Sequence, residues 1–480
     1  MSHYLFLLIA FALNFIASGG KWNIPIAAWI APIFVLRFYR QSEKPWLDFL
    51  LLWLVTAIPL IVSWSGATFF PRLGEIGFFL AVAPIALLAV VIDRYFHIRF
   101  PACAWMLFIF PIAATALDFF QANGSPFGTF GASAYSQRGF LPIMQIASIT
   151  GIWGITFVMS LFATVVNRFW DGNPSPLSWT LAGLLILILS LGWVRTLLPN
   201  QPEHTAVIAG FSLPEGTLSK SLSQFKGGDE AGFRQAMDKL HAAELNQIRM
   251  LAQDGANIVV IQEGGVIGMT DQIEKMIADA GTLAKEENIY IVLPTFDIEQ
   301  TPPVNSIYIV DPNGDVVLHH IKYGGNMFEG TLKGNQILQT VDTPYGKLSA
   351  IICWDADFPN IVKQAGAQNV DLLIVPAQDW LGVRDIHAGM ATFRAVENGL
   401  TVFRQTGQGV SLVSDTYGKV LNRVDSFEEP ATGEFVSVQK ISVPIVSVNT
   451  LYPRLGDAFG NMTLLGLITL FIGIFVMRKK

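Results

Sequence analysis

The stretch Ser349-Ala-Ile-Ile-Cys-Trp-Asp-Ala-Asp-Phe-Pro359, SAIICWDADFP, sets one of only two cysteines in 480 residues where an apolar run meets acidic side chains and a proline. The run LSAIIC (348–353) reads as a buried strand. A thiol is a weak nucleophile until it loses its proton, with a free pKa of about 8.5. Two other strand-like runs also end on ionisable residues. NIVVIQE (257–263) ends on Glu263, and the second half of NSIYIVDPNGDVVLHHIK (305–322) ends on Lys322. Strand ends hold side chains rigidly while the adjoining loops shape a pocket. A carboxylate can accept the thiol proton. An ammonium favours the thiolate and can stabilise an oxyanion. Glu263, Lys322 and Cys353 are therefore the candidate catalytic set, suited to acyl transfer through a thioester. The backbone N–H of Trp354 becomes a second oxyanion donor if Cys353 lies on a tight strand-to-helix turn.

Around these residues strands and helices alternate. TAVIAGF (205–211), IYIVLPTF (289–296), VDLLIVPAQD (370–379) and LTVFRQT (400–406) read as strands; 230–254, 271–287 and 385–398 read as helices. The Pro-Asn-Gly turn and the run GVSLVSDTYGKVL (409–421) mark hairpins. The pattern predicts a mixed α/β layered domain over 204–450. Gly-containing segments at 212–230 and 323–335 are candidate mobile lids.

The flanks differ in kind. The whole chain is 52% hydrophobic and 14% charged, against about 25% charged in a soluble globular protein. Apolar runs near 3–18, 22–40, 46–66, 74–93, 101–121, 143–168 and 177–197 predict about seven membrane helices in 1–198. A further span at 458–477 lies within 456–480 and ends in Arg478-Lys479-Lys480, which makes about eight. The first run lacks a basic start and a cleavage site, so it is not read as a cleaved signal peptide. Basic residues favour cytoplasmic loops. Arg37, Arg40, Lys44, Arg94, Arg99, Arg168 and the terminal tail then lie inside, and 204–450 lies on the extracytoplasmic side. A net charge of −6 without a basic patch argues against a nucleic-acid partner. Two cysteines give no disulfide framework.

Each residue also has a plainer reading. A lone buried cysteine is usually a small hydrophobe, and a lone lysine at a strand end usually snorkels. Cys103 reads as helix packing, and Asp118 as an interfacial acid as readily as a functional one. His319 and His320 are strand neighbours that point to opposite faces, so they make no metal pair. No metal or cofactor site is expected.

The order Glu263, Lys322, Cys353, with Ala-Ile-Ile-Cys followed by Trp-Asp and Phe-Pro, resembles the nitrilase, or carbon-nitrogen hydrolase, superfamily. ArgAlaValGluAsnGly (394–399) and the Gly-x-Trp-Gly helix at 149–167 are similar to its apolipoprotein N-acyltransferase branch. The resemblance implies a four-layer αββα sandwich after an α-helical membrane bundle, in a multi-pass protein of the bacterial cytoplasmic (inner) membrane. It implies Glu263 as general base, Lys322 as oxyanion stabiliser and Cys353 as acylated nucleophile, with Glu329 near the family's second glutamate and Asp355 at its acidic position. It further implies a phospholipid acyl donor and a lipoprotein acceptor. Helices flanking the domain suggest a monomer. The chain departs from the family at Gln262-Glu263-Gly-Gly in place of Pro-Glu-Thr, and at Cys-Trp-Asp in place of Cys-Tyr-Glu. KYGGNMFE (322–329) lacks Pro-Phe-Gly-Glu, and GFSLPEG lacks Gln-x-Asn. These departures leave room for a membrane-tethered amidase that admits water; a non-enzymatic binding module is a third reading, which the complete Glu-Lys-Cys set disfavours.

Overall fold

A computed structural model describes residues 3–101, 103–198, 202, 204–428 and 434–478. The chain divides into two units, one of Met1–Ser125, Thr129–Leu198 and Thr450–Lys480, the other of Pro126–Gly128 and Pro199–Asn449.

Strand alternation organises the second unit. Its first sheet runs in the order β13-β1-β2-β4-β5-β6. These are β1 (His204–Ser212), β2 (Ile258–Ile261), β4 (Tyr290–Asp297), β5 (Val304–Val310), β6 (Val316–Ile321) and β13 (Val436–Ile445), and β3 (Val266–Gly268) pairs with β4. The second sheet runs β12-β11-β10-β9-β8-β7. It comprises β7 (Thr340–Thr343), β8 (Gly346–Ala350), β9 (Leu372–Gln378), β10 (Thr401–Gly407), β11 (Val410–Ser414) and β12 (Val420–Asp425). Parallel pairs lie at the centre of both sheets, β1-β2-β4 and β8-β9-β10, with antiparallel strands outside them.

Successive side chains of a strand face opposite ways, and here the two faces enter different cores. Ile258, Val260, Leu372 and Ile374 meet in a core that both sheets share. Val259 and Ile261 face the other way, onto Ile248, Ile273, Met276 and Leu283. The last four belong to α2 (Glu230–Gln253) and α3 (Thr270–Glu287). Leu373 and Val375 pack on Ile361, Val362, Ala391 and Ala395, from α4 (Pro359–Ala367) and α5 (Arg384–Asn398). The result is helix on sheet on sheet on helix, a nitrilase-like α/β arrangement. Central strands that are apolar on both faces follow from this sandwiching.

Three expectations are corrected here. The segment 212–230 is not a bare loop, because α1 (Thr217–Lys226) forms within it and packs Leu218, Leu222 and Phe225 against Phe233, Met237, Ile267 and Met269. The long β13 pairs with β1 from His204↔Ile445 onward, although the sequence reading assigns no strand there. In the first unit the sixth apolar run is broken. Leu141–Met144 and Ala147–Thr150 are short turns, Gly151 adopts φ +63°, and a continuous helix resumes only at Trp153–Trp170.

Among the described residues of the first unit, four helices are long and apolar enough to cross a membrane: Pro45–Ser63, Arg72–Arg99, Ala104–Gly124 and Pro176–Thr196. His3–Ala17, Leu141–Thr150 and Ala458–Gly473 are shorter apolar stretches. Ile186, Leu187, Leu191 and Trp193 stand exposed on Pro176–Thr196, the surface a helix offers to hydrocarbon. Arg40, read from sequence as a loop charge, forks onto buried Asp93 at 2.7 and 2.8 Å. Lys479 and Lys480 of the basic tail lie outside the described residues.

Candidate active site

Glu263 lies two residues beyond β2, on a turn where Gly264 takes φ +61° and Gly265 donates to the Gln262 carbonyl. A side chain at 265 would bring its Cβ to 2.4 Å from Ile261, so the tight turn needs glycine there. Lys322 follows directly on β6, its backbone fixed by N–H donation to Asn305 O at 2.9 Å. Cys353 lies three residues past β8, at the head of the single turn Cys353–Asp357, with φ +44°. A positive φ is uncommon for a residue with a Cβ and costs of order 1–3 kcal/mol. Glu263 and Cys353 are thus just past their strands rather than on the last residues.

The structure brings the three together. Lys322 Nζ donates to Glu263 Oε1 at 2.5 Å and to Glu329 Oε1 at 2.5 Å. Asn305 Nδ2 also donates to Glu263 Oε1, at 2.8 Å, and the Gln378 N–H donates to Glu263 Oε2 at 2.9 Å. The carbonyl of the same Gln378 is 3.9 Å from Cys353 Sγ. One backbone residue at the end of β9 therefore carries the carboxylate on its N–H and the thiol on its C=O. Lys322 is 1% exposed, which excludes a snorkelling surface lysine.

The charges follow from this packing. Burial alone would lower the Lys322 pKa, but the carboxylates of Glu263 and Glu329 outweigh it and hold the amine well above its ordinary value. Burial raises the Glu329 carboxyl, opposed by Lys322 and reinforced by Glu263. Burial, then the Glu263 charge, pushes the Cys353 thiol up to about 11, against the pull of Lys322 and His387. Lys322 is thus favoured as an ammonium beside a thiol whose burial favours its neutral form.

Asp355 is a fully buried clamp, not a solvated loop acid. Its Oδ1 accepts the N–H groups of Tyr323 (2.9 Å) and Gly324 (2.7 Å). Its Oδ2 accepts the Ile352 N–H (3.0 Å) and faces His320 Nε2 at 2.8 Å. It thereby locks the Cys353 turn to the segment after Lys322. Burial would raise its pKa, yet these donors hold it below the ordinary carboxylate range. His320 is buried and His319 exposed, on opposite faces of β6. The Trp354 ring stacks on Phe328 (5.8 Å, 18°), which stacks on Phe127 (4.9 Å, 18°). Gly324 and Gly325 leave no room for a Cβ against Trp354, the nearest atoms being 2.6 and 2.4 Å away.

Sequence reasoning missed Asn305, Gln378, His320 and the buried group Asp357, Asp379, His387 and Arg404. These lie within strands, at strand ends or on helix faces, where nothing local marks them. Cys353, Asp379 and His387 bring donor atoms within 4.8 Å of one another. His387, however, spends its nitrogens on Asp379 and Asp357, and Asp379 also takes Arg404.

Comparison with known proteins adds the following. Residues 221–442 match the carbon-nitrogen hydrolase family profile, and residues 6–165 match that of the apolipoprotein N-acyltransferase N-terminal domain. The apolipoprotein N-acyltransferase of Geobacter metallireducens is 24% identical, over 74% of this chain and 71% of its own length. That of Pasteurella multocida is 21% identical over 94% and 90%. Among solved structures, an amidase from Nesterenkonia sp. is 17% identical with a TM-score of 0.41, covering 55% of this chain and 96% of its own.

Proposed function

Since the chain belongs to the apolipoprotein N-acyltransferase branch of the nitrilase superfamily and is an N-acyltransferase, we propose that it moves a fatty acyl group from a membrane phospholipid to a lipoprotein's N-terminal amine, on its diacylglyceryl-cysteine, through a thioester on Cys353. The observation that carries this reading is the shared Gln378 backbone, with Glu263 on its N–H and Cys353 on its carbonyl, beside buried Lys322.

Cys353 Sγ attacks the ester carbonyl carbon, and its proton passes to Glu263. The tetrahedral oxyanion is met by the Lys322 ammonium, with the Trp354 N–H as the second donor. Collapse breaks the ester C–O bond. The leaving lysophospholipid oxygen takes the proton from Glu263, and the acyl group stays on sulfur. The lipoprotein amine then attacks the thioester, Glu263 accepts its proton, and the C–S bond breaks as that proton returns to the sulfur. Glu329 shares the ammonium with Glu263 and keeps Lys322 charged through both halves.

Both substrates are lipids, and a domain with apolar spans before and after it in sequence is confined with them to one bilayer, which raises their effective concentration. About eight spans, with 204–450 on the outer side of the bacterial cytoplasmic membrane, and a monomeric state complete the proposal.

Incubation with a phospholipid labelled in its acyl chain and a diacylglyceryl lipopeptide tests it. Label on the peptide amine is the expected result. Free labelled fatty acid without labelled peptide would make water the acceptor and favour a membrane-tethered hydrolase of the amidase kind. Function retained in Cys353→Ala, Glu263→Gln and Lys322→Met alike would make the domain a binding module.

A further inference from the structure

A second charged cluster lies against the nucleophile. His387, on α5, is buried, with Nδ1 2.9 Å from Asp379 Oδ1 and Nε2 3.3 Å from Asp357 Oδ2. Asp379 also accepts Arg404 Nη2 at 3.0 and 2.9 Å, and Arg404 Nη1 donates to the Val410 carbonyl at 3.0 Å. A His387 ring nitrogen, an Asp379 oxygen and Cys353 Sγ all lie within 4.8 Å of one another. Asp357 closes the same turn that Cys353 opens, so the nucleophile and one carboxylate of the cluster move as one piece.

Two cations and two carboxylates sum to zero, which makes the cluster tolerable when buried. A ring with a carboxylate beside each nitrogen is held as the imidazolium and does not accept the thiol proton, so Glu263 remains the base. We infer that His387, held between Asp357 and Asp379, is an electrostatic partner of Cys353 that acts with Lys322 to stabilise the thiolate. That thiolate forms as Glu263 takes the thiol proton, is consumed when the C–S bond forms, and is released again when that bond breaks on deacylation. Burial would neutralise the ring, but Asp357 and then Asp379 hold its pKa well above the usual value. The groups facing Cys353 are then Glu263, Lys322, Asp379 and His387; those facing His387 are Asp357, Asp379, Arg404 and the thiol.

The inference rests on Cys353 being the nucleophile, but its test reads the thiol directly. The full chain in detergent is alkylated with iodoacetamide across a pH series, and the rate at the Cys353 peptide is followed by mass spectrometry, with thermal unfolding in parallel. His387→Gln is expected to move the alkylation inflection up by about one unit and slow alkylation about tenfold below it. Should that variant not fold, His387→Asn, which also removes the ring, carries the test with a shift in the same direction. An unmoved inflection, with or without a lower melting temperature, marks a structural role and overturns the inference. Acylation surviving in Cys353→Ala would instead overturn the nucleophile assignment and leave this measurement standing.

Discussion

At the scale of single residues the account turns on which charges Cys353 meets. Glu263→Gln removes the proposed proton acceptor and is expected to cut lipopeptide acylation about 10²–10⁴-fold. Lys322→Met removes the proposed oxyanion partner and is expected to cost about 10²–10³-fold; both are checked by initial rates with the labelled phospholipid. Asp355 makes a different prediction. Its pKa is depressed in the fold, so its stabilisation is complete above the unfolded value of about 3.9 and is lost as pH falls through the lower folded value. Asp355→Asn cannot accept all four contacts and is expected to lose about 2–4 kcal/mol at neutral pH. Melting curves against pH should show wild type and variant converging in acid; a constant gap would contradict the clamp. Glu263, Lys322 and Cys353 could be read in the sequence because an ionisable residue ending an apolar run is locally conspicuous. Asp355 was visible only as a position. His387 gave no signal, since its partners Asp357 and Asp379 come from the turn after Cys353 and from the end of β9, both outside its own helix.

Among the elements, α2 carries the clearest anomaly. Its buried face repeats at helical spacing through Phe233, Met237, His241, Glu244, Ile248 and Leu251. Glu244 has neither carboxylate oxygen partnered among the described residues, and burial alone raises its pKa well above the model-compound value of 4.5. The raised pKa makes the fold take up a proton that the unfolded chain has shed, so stability falls as pH rises from about 4.5 through the folded value. Glu244→Leu keeps the volume and should raise the melting temperature by a margin that grows with pH over that window. A variant no more stable than wild type at neutral pH would contradict this. The central strands were legible because they are apolar on both faces and bounded by turns. β13 was not: VSVQKISVPI mixes Gln439, Lys440 and Pro444 into its alternation, as an edge strand can. β3 and β7 are too short to show a period. α1 hid in a segment of small and polar residues, and its packing on Phe233 and Met237 means that deleting 216–228 would remove core as well as any lid.

For the whole molecule, composition alone separated an apolar region from a charged one, because lipid and water select opposite side chains. The helix count was less legible. A run such as 143–168 is apolar enough throughout, yet Gly151 turns the chain inside it, and hydropathy does not register a positive φ. The proposed arrangement predicts that in sealed, right-side-out membrane vesicles an added protease cleaves within 204–450 and leaves a tag at the N-terminus intact. The reverse pattern would contradict the basic-loop assignment.

The central claim, that Cys353 carries the acyl group, is met most directly by mass spectrometry of the Cys353 peptide after incubation with phospholipid and no acceptor. The account predicts a mass increase of one acyl chain on Cys353 that disappears when the lipopeptide is added and is missing in Glu263→Gln. An unmodified Cys353 in an enzyme that goes on to acylate the lipopeptide would contradict it.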